Sequence, residues 1–273
     1  MDYKANSCIV CGYENLKLIS HKLSEENVFY TYRCVACGEI FSTETEYIKK
    51  QERIKQEQEK ILQQQTKQNI NLSATEIYKK CRDFVVEIEA DFNDTLSQGT
   101  GIILGNGYIL SNAHVVLDKN KKNVADSIIC KFSDKLSLEF DLLYADINKD
   151  LAILYSEELD KDGAIFDEDA VETGEKVYAI GNSKGQGICI LDGIVSDKNR
   201  LCNKESFIMY SAPTVTGNSG GPLFNAKGKI IGVVTLGRKD ATAMNYAIPV
   251  ETIKIFITDA NDKEELDIDL LFD

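Results

Sequence analysis

Ser219 sits in Thr216-Gly217-Asn218-Ser219-Gly220-Gly221-Pro222-Leu223, where three glycines crowd one serine. Glycine suits backbone that must take positive φ or approach other groups closely. A serine on such a turn presents its hydroxyl, and neighbouring N–H groups can converge on one point. Acyl transfer needs that geometry, a nucleophile beside an oxyanion hole. The same composition also suits a plain glycine turn between strands, so a base and an orienting acid must be found elsewhere. The chain has two histidines. His114 lies in Ser111-Asn112-Ala113-His114-Val115-Val116, and a lone histidine there could equally be structural. Asp150 opens the apolar run Leu151-Ala152-Ile153-Leu154. A carboxylate in that setting must be hydrogen-bonded to be tolerated, or it is a turn residue at a strand start.

A second chemistry is written near the N-terminus. Cys8-Ile9-Val10-Cys11-Gly12 and Cys34-Val35-Ala36-Cys37-Gly38 are two copies of one unit. Each Cys-x-x-Cys turn can aim two thiolates at one ion, so Cys8, Cys11, Cys34 and Cys37 form a candidate tetrahedral four-thiolate site for one structural Zn2+. Between the pairs, Leu16–Ile19 and Val28–Arg33 read as strands, and the arrangement resembles a zinc ribbon over residues 1–46. A domain this small builds little core, which a metal can offset. His21 reads as a surface residue. Cys81, Cys130, Cys189 and Cys202 are scattered and read as reduced thiols.

The elements that must position these groups differ along the chain. Residues 47–72 are rich in Gln, Glu, Lys and Ile, with Tyr47, Ile54 and Ile61 at seven-residue intervals. They read as a solvated helical linker without a second apolar position for a coiled coil. Ser73-Ala74-Thr75-Glu76 fits a capping box that opens a short helix. From there to residue 258 short β-rich runs alternate with turns, among them Phe84–Ile88, Gly101–Leu104, Tyr108–Leu110, Leu138–Leu143, Leu151–Leu154, Lys176–Ile180 and Ile230–Leu236. That spacing argues for a mainly β sandwich or barrel. Val250–Ala260 reads as a closing helix.

The order His114, Asp150, Ser219 is that of chymotrypsin-like enzymes. Gly99-Thr100-Gly101-Ile102-Ile103, Ser111–Val116, Asp150–Leu154, Ala179-Ile180-Gly181-Asn182, Asp192–Ser196, Gly217–Leu223 and Tyr246–Pro249 resemble successive motifs of trypsin-like serine proteases of the HtrA/Deg type. The resemblance covers roughly 76–257, within a protease domain of 73–258. It implies a chymotrypsin-like double β-barrel of six strands each, with the active site between them. It implies His114 as general base and acid, Asp150 as its orienting partner and Ser219 as nucleophile. It also implies Gly217 and Ser219 N–H groups as the oxyanion hole, and Pro213, Thr214, Thr235 and Leu236 around the pocket for the residue before the cleaved bond (P1). No acid falls at the pocket base, so small or medium apolar P1 residues are expected. Asn218 stands where enzymes switched on by a freed N-terminus carry an aspartate, implying no such switch. A PDZ domain, usual after the protease in this type, has no room after Pro249.

Composition bounds the rest. A net charge of −13 disfavours general nucleic-acid binding. No apolar run approaches the roughly 20 residues of a membrane span, and the first residues carry no apolar leader, so a cytoplasmic location is expected. Residues 259–273 hold seven acids interleaved with Leu266, Ile268, Leu270, Leu271 and Phe272. They read either as a solubilising tail or as a segment that docks in a groove. The expected function is a serine endopeptidase acting on polypeptides, its ribbon structural or bound to a protein partner. The alternative is a catalytically silent or partner-gated binding module on the same shell.

Overall fold

A computed structural model describes residues 2–3, 5, 14–24, 27–43, 53–57, 71–93, 95–118, 123–133, 135–202, 205–238 and 241–272. The chain divides into two compact units, Met1–Asn69 and Ile70–Asp273.

In the first unit β1 (Asp2–Tyr3), β2 (Leu16–Ser24), β3 (Asn27–Cys34) and β4 (Ile40–Ser42) form one sheet. The long hairpin β2–β3 is its spine, and β1 and β4 both pair with β3. Tyr32 and Cys34 are buried, with Leu16 and Tyr30 packed against them. Residues 53–57 of the expected linker are helical and residues 71–72 are not; its other residues, like Cys8 and Cys11, lie outside the described residues.

The second unit opens on α1 (Ala74–Cys81), and the expected capping box is present. Ser73 Oγ accepts from Glu76 N at 3.3 Å, and Glu76 Oε2 accepts from Ser73 N at 2.9 Å. This satisfies two backbone donors that a helix end leaves open. Ile77 and Cys81, four apart on one face, are buried.

Seven strands follow: β5 (Val85–Asp91), β6 (Leu96–Gly105), β7 (Tyr108–Ser111), β8 (Ser127–Lys131), β9 (Ser137–Glu139), β10 (Asp141–Asp146) and β11 (Leu151–Tyr155). Their order is β10-β11-β7-β6-β5-β8-β9. β9 and β10 are one run interrupted at Phe140, whose N–H crosses to Ile128 O. The two ends of the sheet are therefore one bent strand, and the sheet closes on itself. The sequence reads 138–143 as a single strand; the bend at Phe140 is what closure needs.

The second sheet contains β12 (Ile165–Phe166), β13 (Lys176–Asn182), β14 (Ile188–Cys202), β15 (Glu205–Tyr210), β16 (Pro222–Asn225), β17 (Ile230–Arg238), β18 (Ala241–Pro249) and β19 (Leu271–Phe272). Strands β16-β13-β14-β15-β18-β17 run in order, and β16 also pairs β17, so this ring closes too. β12 pairs in parallel with β17, and β19 with β12. A one-turn helix α2 (Ala113–Val116) lies in the first barrel, and α3 (Val250–Glu264) follows the second.

Val86, Ile88, Ile103, Ile109, Val115 and Leu154 fill the first barrel. Val177, Val195, Ile208, Tyr210, Leu223 and Val234 fill the second. A larger cluster includes Ile77, Ile102, Leu110, Ile153, Tyr178, Ile180, Phe224 and Phe256, drawing both barrels and both longer helices together.

The final segment is packed. Ile268 is buried, and Asn261 brackets it, Nδ2 donating to Ile268 O at 3.0 Å and Oδ1 accepting from Ile268 N at 3.2 Å. Lys254 Nζ stands 4.2 Å from the Phe272 ring centre. The docking reading of the tail is the one observed, on the protein's own sheet edge.

Truncating Ile77 to alanine opens a hole where α1 meets the core. Urea unfolding should show a loss of about 2–5 kcal/mol, against about 1 kcal/mol for Ser73→Ala. Equal losses would mean α1 is held by its cap and not by its buried face.

Candidate active site

His114 is placed by α2, whose Ala113, Val115 and Val116 are buried. The apolar residues of this turn take the interior, so the imidazole is left facing outward, its side chain 38% exposed. Asp150 ends the tight turn after β10. Asp146 builds that turn, its Oδ1 accepting from Asn148 N at 2.9 Å and Lys149 N at 3.1 Å. Lys149 Nζ binds Asp146 Oδ2 at 2.6 Å and Asp259 Oδ2 on α3 at 3.1 Å. Asp150 takes φ +55, a left-handed conformation that short polar residues tolerate best. Asn112 Nδ2 donates to Asp150 O at 2.8 Å. Asn112 Oδ1 is buried and has no partner among the described residues.

The Asp150 carboxylate receives three donors. His114 Nδ1 lies 2.8 Å from Oδ2, His114 N donates to Oδ1 at 3.1 Å, and Thr235 Oγ1 donates to Oδ2 at 2.6 Å. Burial by itself would raise the Asp150 pKa. The His114 hydrogen bond and charge, then the Thr235 hydroxyl and the His114 N–H, outweigh it and hold the carboxyl below its ordinary range. This fixes the imidazole with Nδ1 as donor and leaves Nε2 to act as a base.

Ser219 comes from the second barrel, on the loop between β15 and β16. Gly217 takes φ +98 and Gly220 φ +84. A Cβ on Gly220 would fall 2.2 Å from Ser111 Oγ and from Thr100 O, so the loop packs against the first barrel at glycine distance. Asn218 N donates to Val215 O, Gly220 N to Val234 O and Gly221 N to Asn218 O. The N–H groups of Gly217 and Ser219, interleaved with these, have no protein acceptor among the described residues. An oxyanion hole needs free donors of this kind converging on one point. Asn218 is buried, and its Oδ1 accepts from Ser183 Oγ at 2.9 Å, a neutral partner. Ser219 Oγ donates to Thr235 O at 3.3 Å, and no hydrogen bond joins it to His114 among the described residues. Such contacts commonly tighten only when substrate arrives.

Of the expected pocket residues, Pro213 is exposed and Thr214 half-buried, Thr214 Oγ1 lying 2.7 Å from the Tyr210 hydroxyl. The side chain of Leu236 lies outside the described residues. Thr235, expected at the pocket, donates its hydroxyl to Asp150 and offers its carbonyl to Ser219 Oγ. Sequence reasoning missed Asn112, Tyr210 and the buried Asn245, whose Nδ2 donates to Ala212 O at 2.8 Å. A polar residue inside an apolar run was the only available signal for each.

Half of the candidate metal centre is described. Gly38 N donates to Cys34 O at 3.0 Å, Cys34 N to Glu39 O at 2.9 Å, and Gly38 takes φ +77. Cys34-Val35-Ala36-Cys37-Gly38 is thus a tight turn with its glycine in the left-handed region, and its thiol donor set fits zinc.

The closed double barrel with this site is a chymotrypsin-like fold, and residues 99–233 match the trypsin-like peptidase domain model. The chain is 36% identical over 163 residues to a probable periplasmic serine endoprotease, DegP-like, of Ectopseudomonas mendocina, covering 57% of this chain and 33% of that protein. It is 35% identical over 170 residues to a putative serine protease, HhoB, of Synechocystis, covering 58% and 39%. The chain spans about a third of the length of these curated relatives. The serine endoprotease of Yersinia pestis superposes with a TM-score of 0.63 at 25% identity, covering 71% of this chain and 69% of that one. The HtrA-type protease AlgW with tripeptide gives 0.62 at 27%, covering 71% and 64%. By fold and by these matches the chain is similar to trypsin-like serine endopeptidase domains. Within that class the domain is similar to the HtrA type. The relatives named as periplasmic overturn the cytoplasmic expectation. An export leader is removed from a mature chain, so its absence from a sequence fixes no compartment.

The depressed pKa of Asp150 has a consequence for stability. Its contribution is fully present above the unfolded aspartate value of about 3.9 and is lost as pH falls through the lower folded value. Urea unfolding of wild type between pH 6 and 3 should therefore show a steeper decline than Asp150→Asn. Parallel declines would show that Asp150 contributes no pH-linked stability.

Proposed function

We propose that this chain is an endopeptidase that cleaves polypeptides through an acyl-enzyme on Ser219. The observation that carries the reading is the pair of unclaimed N–H groups, Gly217 and Ser219, beside a serine in the seam where His114 and Asp150 already meet. His114 Nε2 takes the Ser219 proton as Oγ attacks the scissile carbonyl. The two N–H groups receive the oxyanion, and His114 then gives its proton to the leaving amine. Water, deprotonated by the same imidazole, releases the acyl group. Asp150 stays ionised and stabilises the imidazolium, as its depressed pKa allows.

The residues expected at the pocket, Pro213 and Thr214, and the Tyr210 hydroxyl that meets Thr214 are neutral. They support small or medium apolar P1 residues over Lys or Arg. One Zn2+ held by Cys8, Cys11, Cys34 and Cys37 would staple the first unit, whose small core gives it little stability of its own. That unit is the accessory domain, structural or bound to a protein partner. A partner-gated version of the reading is favoured by one contact: the Ser219 hydroxyl rests on the Thr235 carbonyl and not on His114.

A fluorophosphonate probe should label Ser219 and leave Ser219→Ala unlabelled. Labelling only with a partner present selects the gated version, and none under any condition in folded protein refutes the enzyme. A peptide-library profile dominated by basic P1 residues would overturn the specificity. Zinc content should be about one per chain and fall in Cys34→Ser.

A further inference from the structure

Thr100 is the one hydroxyl in the buried run Gly99-Thr100-Gly101-Ile102-Ile103-Leu104-Gly105 of β6, and it is itself fully buried. A polar side chain in such a position must find partners. Its Oγ1 donates to Gly217 O at 2.7 Å and accepts from Asn182 N at 2.9 Å. Its N–H donates to Ser219 O at 2.8 Å, and its carbonyl accepts from Ser111 Oγ at 2.8 Å. One residue of the first barrel thus binds the carbonyls of the two residues, Gly217 and Ser219, whose N–H groups are unclaimed.

The direction of the Gly217 N–H depends on two peptide planes. The plane before Gly217 carries that N–H together with Thr216 O, which accepts from Lys184 N at 2.8 Å. The plane after it carries Gly217 O, held by Thr100. Glycine has no Cβ to limit rotation between the planes, so these two bonds, with that of Asn218 N to Val215 O on the second plane, set the turn. The space is close: a Cβ on Gly217 would fall 2.0 Å from Asn182 O. Asn182 is in turn the residue whose N–H Thr100 accepts.

We propose that Thr100 is a positioning residue for the oxyanion hole. Its hydroxyl holds the Gly217 peptide so that the Gly217 and Ser219 N–H groups converge on the developing oxyanion. The proposal rests on the endopeptidase reading above and adds a residue that touches neither substrate nor Ser219 Oγ.

Thr100→Val keeps the shape and removes the hydroxyl. On a chromogenic peptide substrate that wild type cleaves, kcat should fall about 10- to 100-fold, below or near the loss from removing a hole donor outright. KM should stay within about threefold, because ground-state binding does not use the hole. Affinity for a peptide aldehyde, which forms an oxyanion on Ser219, should fall in parallel with kcat. Thr100→Ser, which restores the hydroxyl, should recover kcat to within about threefold of wild type. If folded Thr100→Val keeps wild-type kcat, or loses only KM, the proposal is overturned. If the valine variant does not fold, Thr100→Ser and Thr100→Ala decide: equal kcat overturns the proposal, and a tenfold deficit in alanine alone supports it. A folded wild-type protein that cleaves nothing and takes no fluorophosphonate under any condition, with or without a partner, refutes the endopeptidase reading, and the proposal falls with it.

Discussion

The Asp150 carboxylate is the constraint around which the two barrels are fitted. A partly buried charge costs several kcal/mol unless hydrogen-bonded and paired, and its donors come from separate places. Two are on His114, in the same barrel. The third, Thr235 Oγ1, arrives at 2.6 Å from β17 of the second barrel. The carboxylate is satisfied only when the barrels sit in one register, and in that register the Thr235 carbonyl meets Ser219 Oγ. Thr235 thus serves both the Asp150 carboxylate and the Ser219 hydroxyl. The left-handed φ of Asp150, the Asp146 turn and the Asn112 amide are local devices that deliver the carboxylate to that point.

The nucleophile loop answers the same constraint from the other side. Within Gly217–Gly221 three backbone donors are committed, Asn218 to Val215, Gly220 to Val234 and Gly221 to Asn218. Gly217 is buried and Ser219 partly buried, and the N–H groups of these two alternate residues are left open beside the Ser219 hydroxyl. Keeping them free requires that the adjoining carbonyls be held elsewhere. The first barrel provides that hold through Thr100 and its neighbour Ser111, and the glycines at 217 and 220 let the backbones come close enough. The loop carries the chemistry, but rigid strands on both sides set its shape.

How much of this the residues announced depends on the kind of signal. His114, Asp150 and Ser219 were legible because each stands in a distinctive local run and the three come in a telling order. The Ser73–Glu76 capping box was legible because its chemistry is local, complete within four residues. The barrels were legible as strand-rich texture, while the bend at Phe140 was not, since closure is a property of the whole sheet. Thr100, Asn112 and Thr235 were opaque for a shared reason. Each is a single small polar residue in an apolar run, and its partner lies 38 to 117 positions away. Only tertiary contact distinguishes such a residue from an ordinary strand position. Thr235 was placed at the pocket by resemblance, and nothing in its own strand run says that the Asp150 carboxylate meets its hydroxyl.

Charge shows the same dependence on tertiary placement. The chain carries a net −13, and its C-terminal stretch is among its most acidic parts, which by composition alone suggests a solvated tail. Placement reverses that reading. Asp259 of α3 meets Lys149, whose pKa is raised first by its bond to Asp146, against burial, and then by Asp259. Lys263 reaches the Tyr144 hydroxyl at 2.9 Å and lies over its ring, while the Tyr144 and Phe256 rings pack at 5.3 Å. The helix is thereby fastened along β10 and onto the turn that ends in Asp150. Beyond it, Ile268 is buried and β19 extends the sheet past β12. Exposed ion pairs contribute little, so the apolar contacts of Phe256 and Ile268 hold this segment in place. The role left to Lys149 is geometric: between two carboxylates, one residue before Asp150, it keeps the turn against α3.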